Sequence, residues 1–294
     1  MRPSLHDSKT QLRTDFDKAM GLGRQMLELA DRDGDPLMHI DARLVIGSTH
    51  VFASDVPGGL RHLDEAIALF GSAGTRAHHG FGNDPRVACL TTSGFALWLL
   101  GFPDQAADRA SSAIALSGEI GHPFTSAFAR FHSALLHLFR GEPQIVLDRS
   151  LAVLEIADEH DLKIWTAVGT CLLGAAETWL GRVDEGLAQI RKGMAMYQGL
   201  RTPPVFLPML QLVDARASLM AGHTAQGLAT LDPAVEMMSQ GSGSPLLSEF
   251  LLLKGDLLMG DPLTGPSGGG GGQGTTTGLE DRDPGHWYLS LIHI

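Results

Sequence analysis

Apolar residues recur along the first stretch of the chain at spacings of three and four. Leu12, Phe16, Ala19, Leu22, Met26, Leu29 and Ala30 share one face of a helix running from about Lys9 to Arg32. Asp33-Gly34-Asp35-Pro36 ends it. Pro36 suits the first turn of the next helix, where the leading amide has no intrahelical partner to lose. The pattern then predicts helices over 36–53 and 57–70, followed by a glycine-rich interruption from Gly71 to Asp84. From Pro85 onward the pattern is regular, with helices at roughly 85–100, 103–119, 123–140, 143–160, 163–180, 183–198, 204–221 and 224–239. Pro85, Pro123, Pro204 and Pro245 mark starts of alternate helices, and Lys163 stands where another proline would fall. All regular structure between about residues 10 and 258 is expected to be helix.

The joints between helices repeat. Leu100-Gly101-Phe102-Pro103, Arg140-Gly141-Glu142-Pro143, Leu180-Gly181-Arg182 and Ala221-Gly222-His223 place their glycines 40, 40 and 41 residues apart. A degenerate copy, Phe52-Ala53-Ser54-Asp55, puts Ser54 47 residues before Gly101. A fixed period of this size is the signature of stacked helix pairs with one continuous core. Small residues recur as well. Seven positions before the turn stand Gly47, Gly94, Ala134, Gly174 and Ala215, and twelve after it Ala66, Ala113, Val153, Gly193 and Ala234. A glycine inside a helix costs about 1 kcal/mol relative to alanine, so its return at one position calls for close packing.

Composition narrows the picture. Hydrophobic residues make up 44% of the 294, enough for a sizeable core, while the aromatic share of 6% suits closely packed helices of small residues. The net charge of −11, with no basic cluster, argues against nucleic acid and against an anionic membrane surface. Cys89 and Cys171 lie inside apolar helical patterns and read as buried thiols of a reducing, cytoplasmic compartment. No run of about 18 apolar residues is present to make a membrane helix. Residues 1–9 are expected to be disordered, 10–260 to form the repeat array, and 261–294 to be a disordered glycine-rich tail. The closing Leu289-Ser290-Leu291-Ile292-His293-Ile294 resembles translated sequencing-adapter read-through, so the tail is not expected to be a native domain. The first helix reads as the second half of a unit, which suggests a longer parent chain.

A small residue, a seven-residue gap, a glycine turn and an acidic helix start together resemble the tetratricopeptide repeat. Gly101-Phe102-Pro103-Asp104-Gln105-Ala106 and Gly181-Arg182-Val183-Asp184-Glu185-Gly186 are its nearest copies. The period exceeds the 34 residues of that repeat by about six. The resemblance implies an all-α, right-handed α-solenoid of about five helix pairs. A narrower likeness lies in Phe81-Gly82-Asn83-Asp84-Pro85, Ala96-Leu97-Trp98-Leu99-Leu100-Gly101 and Gly121-His122-Pro123-Phe124. These resemble the C-terminal repeat region of large bacterial signalling ATPases, where a class III adenylate cyclase or protein kinase domain and an AAA-type ATPase come first. That likeness covers roughly residues 10–260 and implies no catalytic domain within them.

Candidate chemistry is thin. Gly269 to Thr276 has the glycine spacing of a phosphate-binding loop, but Thr275 stands where the lysine belongs, and no strand precedes it. His132 and His137 are five apart on one helix, on different faces, and the adjacent His78-His79 lack a third ligand nearby. Asp104, Asp108, Asp184 and Glu185 fall near helix starts, where the helix dipole explains them. The chain is therefore read as a non-enzyme with no cofactor and no metal.

What remains is a binding surface. In tetratricopeptide arrays the first helix of each pair lines the concave side, which would place Thr91, Phe95, Trp98, Phe128, Phe131, Leu135, Leu138, Cys171, Trp179, Leu212 and Arg216 there. Phe95, Trp98, Phe131, Leu135, Trp179 and Arg216 are its candidate partner groove. The set lacks the Lys/Asn/Arg clamp that holds a peptide carboxylate in chaperone-type members. The same side chains become core if the longer helices cover them. The expected function is a protein-interaction or regulatory scaffold, whose partner is a protein, a peptide or upstream domains of the same polypeptide. The alternatives are a fragment of a larger cyclase or ATPase enzyme, and a ligand-sensing repeat domain of a transcriptional regulator.

Overall fold

A computed structural model describes residues 5–73, 83–200, 205–240 and 244–260. The candidate phosphate loop, the glycine-rich tail and His78-His79 lie outside them. Among the described residues all regular structure is helix: α1 (Leu5–Asp33), α2 (Pro36–Phe52), α3 (Val56–Ala68), α4 (Phe70–Ala73), α5 (Pro85–Leu99), α6 (Pro103–Ile120), α7 (Pro123–Phe139), α8 (Pro143–Glu159), α9 (Lys163–Trp179), α10 (Val183–Gly199), α11 (Leu207–Met220), α12 (Thr224–Gln240) and α13 (Leu247–Met259). The short α4 occupies the start of the expected glycine-rich interruption. Helix α1 begins at Leu5, four residues before the boundary expected at Lys9.

Prolines and caps start the helices, and left-handed turns stop them. Asp35, Asp55 and Asp84 each accept a hydrogen bond from a backbone N–H of the first turn, at Leu37, Gly58 and Arg86. Asp84 also takes the buried guanidinium of Arg86 at 2.8 Å, while its own N–H donates to Thr125 Oγ1 on the next unit. At the other end, Ser54, Gly101, Gly141, Gly181 and Gly222 have φ of 71°, 82°, 73°, 90° and 72°. In each, the turn N–H donates back three residues and the next N–H back five, as from Gly101 to Trp98 and from Phe102 to Leu97. That paired bonding closes a helix only through a left-handed residue, which is why glycine recurs. Ser54 holds the same conformation without glycine, at a cost of about 1 kcal/mol. Gly260, at φ 63°, ends α13 with a left-handed residue too.

The helices pair in order, α2 with α3, α5 with α6, α7 with α8, α9 with α10 and α11 with α12, and successive pairs stack. The fold is an α-solenoid of tetratricopeptide-like helix pairs. The small residue seven positions before the turn meets the position five after it. In α9 and α10 these are Gly174 and Gly186, and a methyl on Gly186 would sit 2.5 Å from the Gly174 carbonyl oxygen. Gly193, twelve after the turn, presses on α9 as well, since a methyl there would lie 2.6 Å from Ala167 O. Gly47 and Gly59 repeat the first contact in α2 and α3. The middle of the core is an aromatic nest on Trp165, which is 1% exposed. Phe124, Phe131 and Phe206 surround it at centroid distances of 5.1, 5.5 and 6.1 Å.

Candidate interaction surface and cavity

The six candidate groove residues divide according to their distance from the turn. Phe95, Leu135 and Arg216 stand six positions before it, Trp179 stands two before it, and all four are half-buried. Trp98 and Phe131 stand three and ten before it and are core residues, 4% and 1% exposed. Their place in the groove is therefore corrected. One step along a helix turns a side chain by about 100°, enough to move it from the concave stripe into the packing between helices. Thr91, Leu138, Cys171 and Leu212 are buried for the same reason.

The half-buried stripe holds members that the sequence reading missed. With Trp179, two positions before the turn, lie Phe52, Leu99, Phe139 and Met220, none of them fully buried. Phe95 joins several of them: its ring centroid is 6.3 Å from Phe52 and 6.4 Å from Phe139. At the far end, Arg216 sits over Trp179 with its guanidinium carbon 5.9 Å from the ring centroid. Arg216 is not an open anchor. Burial works against its charge, and Glu249 and Asp256 support it, Glu249 at 3.7 Å.

Behind the stripe lies a cavity of about 260 Å³. One wall is α5 and α7, with Phe95, Thr92, His132 and Leu135. The other comes from the leads into α11 and α13, with Phe206 and Leu246. The groove is thus walled on both sides at its middle. Phe206 is held there by Phe131, at 5.1 Å between ring centroids, and by Tyr197, whose hydroxyl accepts the Phe206 N–H.

His132 is the titratable group among the described residues that line this cavity. Its Nδ1 is 2.9 Å from the Phe128 carbonyl oxygen, which only accepts, so the proton is on Nδ1. Burial among aromatic rings pushes the imidazole pKa down to about 4. A histidine that resists protonation when folded makes the unfolded state bind more protons between pH 6.5 and 4. Stability therefore falls as pH drops through that window and levels off below it. The expected loss is about 3 kcal/mol, and His132→Leu should remove it. Urea unfolding at pH 7 and pH 4 tests this. An equal pH dependence in both proteins would show that His132 is not buried neutral.

Other reactive groups are quiet. Burial pushes the Cys171 thiol up to about 12 and raises Cys89 further, so neither is a nucleophile at neutral pH. Among the described residues no three His, Cys, Asp or Glu side chains cluster as a metal site would require. None of the described helices is long and apolar enough to cross a membrane.

No family model matches the chain, and no curated protein does either. Solved structures do resemble it. BtubC (BKLC) from P. vanneervenii superposes with a TM-score of 0.52 at 18% identity, over 76% of this chain and 91% of that one. A putative kinesin light chain of Podosopora anserina, with nearly identical tetratricopeptide-like repeats, gives 0.49 at 16% identity over 70% and 96%. A tetratricopeptide repeat protein from Parabacteroides merdae gives 0.49 at 13% identity over 87% and 86%. The likeness to the first is one of fold: the chain is a tetratricopeptide-like helical repeat array.

Proposed function

We propose that this chain is a non-catalytic protein-interaction module of a bacterial signalling protein, working in the cytoplasm. The observation that carries the reading is the stripe of half-buried apolar and aromatic side chains at one repeated position. Phe52, Leu99, Phe139 and Trp179 stand at the same place in four successive pairs. Phe52 is 47% exposed and stacks 6.3 Å from Phe95, so it continues the apolar stripe rather than standing alone. The stripe suits a protein or peptide partner, or upstream domains of the same polypeptide. The signalling context rests on the resemblance of Ala96 to Ala106 and its neighbours to the repeat region of cyclase- and kinase-linked ATPases.

Capture from a bacterial lysate, followed by titration of the captured partner, tests the surface. Trp179→Ala should weaken binding by about 2 kcal/mol, some 30-fold in Kd, with the helical spectrum unchanged. Leu151→Ala, on the exposed side of α8, should leave binding as it was. Retention of the partner by Trp179→Ala would move the interface off the stripe.

A further inference from the structure

We propose that the cavity between α5, α7 and the leads into α11 and α13 binds a small, neutral, apolar molecule that donates a hydroxyl hydrogen bond to Nε2 of His132. This ligand is distinct from the protein partner above: Phe52 and Phe95 border both surfaces, but Trp179 does not line the cavity.

Size sets the first bound. A closed apolar cavity of ~150 Å³ already admits benzene. At about 260 Å³ this one has room for a two-ring or branched aliphatic molecule. Phe95, Leu135, Phe206, Met209 and Leu246 supply apolar walls. Charge sets the second bound. Among the described residues that line the cavity there is no Lys, Arg, Asp or Glu. A carboxylate, phosphate or ammonium would lose its water there with no counter-charge, at a cost of several kcal/mol. The ligand is therefore neutral.

His132 sets the polarity of the contact. With Nδ1 committed as a donor to Phe128 O, the neutral ring offers Nε2 as an acceptor. Thr92, at the equivalent position of the neighbouring unit, and Ser133, next in sequence, line the same cavity. The ring packs on Phe128 and Phe131 and spends Nδ1 on Phe128 O, which leaves Nε2 as its remaining polar atom on the cavity wall. A hydroxyl group satisfies that acceptor, whereas an ether or ketone does not. Alcohols and phenols fit, and their methyl ethers should bind less well.

Isothermal titration calorimetry at pH 7 on the whole chain, with 1-naphthol and 1-methoxynaphthalene, tests the inference. The two probes share one apolar body and differ in the donor. 1-Naphthol should bind one per chain, and the ether at least tenfold more weakly. In His132→Leu the two should bind alike, with thermal unfolding confirming that the variant is folded. The comparison on the unaltered protein needs no variant and decides the question if His132→Leu fails to fold. Equal binding of both probes to the unaltered protein overturns the proposal, as does a preference that survives in folded His132→Leu. N-acetyltyrosinamide binding as tightly as 1-naphthol would assign the cavity to a partner's tyrosine side chain and also overturn it.

Discussion

Gly174→Ala is expected to destabilise the chain by about 2 kcal/mol, although alanine is the better helix former. The added methyl meets the Gly186 carbonyl oxygen closer than real contacts allow, and the Ile190 side chain at 2.9 Å. Backbone cannot rotate aside as a side chain can, so α9 and α10 must separate. Overpacking of this kind costs about 1–3 kcal/mol, more than the roughly 1 kcal/mol that alanine gains in helix propensity. Gly186→Ala should behave alike, because its methyl meets the Gly174 carbonyl oxygen from the other side. The two changes open one contact, so together they should cost less than their sum. Gly118→Ala is the control. It lies inside α6 with nothing within 4 Å of an added methyl, and should gain up to about 1 kcal/mol. Urea unfolding monitored by circular dichroism reads all four. A neutral or stabilising Gly174→Ala would mean that α9 and α10 do not touch at that glycine.

That contact shows how much of the fold was legible. The turn glycines and the small residue seven before each turn could be read directly, because both answer to backbone demands that few residues meet. Even Ser54 was placed by spacing, and it holds the left-handed turn. The partner position five after the turn escaped notice. Val146 stands there in the third pair, between Ala106 and Gly186, and breaks the run of small residues. The concave side was harder still. A periodic pattern tells which residues share a face, but it does not tell which of two apolar faces meets the next helix. In α7 both are apolar: Phe131 and Leu138 seven residues apart, and Phe128, Leu135 and Phe139 beside them. Carrying positions over from the tetratricopeptide repeat drew Trp98 and Phe131 into the groove and left out Phe52 and Phe139. The cavity could not be read at all, since its walls come from α5, α7 and the segments before α11 and α13, separated by 69 to 155 residues in the chain. Nor did the repeat spacing reveal Trp165, the hub of the core.

Phe131→Ala should cost about 3–5 kcal/mol of stability, the usual penalty for emptying a buried aromatic site. Phe131 touches Trp165 from α9 and Phe206 from the lead into α11, so its removal loosens three successive pairs at once. The space cannot refill easily. Trp165 is itself 1% exposed, and Phe206 is tethered by the Tyr197 hydroxyl. Trp179→Ala should cost less than about 2 kcal/mol, since that ring is half-buried and its specific contact is the cation–π pair with Arg216. The two variants therefore separate the faces of the first helices: one loses stability, the other loses the partner. Denaturation curves for both, recorded beside the binding titration, make the comparison. If Phe131→Ala proved no less stable than Trp179→Ala, its ring would not be filling the core. The stripe of Trp98, Phe131 and Trp179 expected from the repeat spacing would then have to replace the one formed by Phe52, Phe95, Phe139 and Trp179.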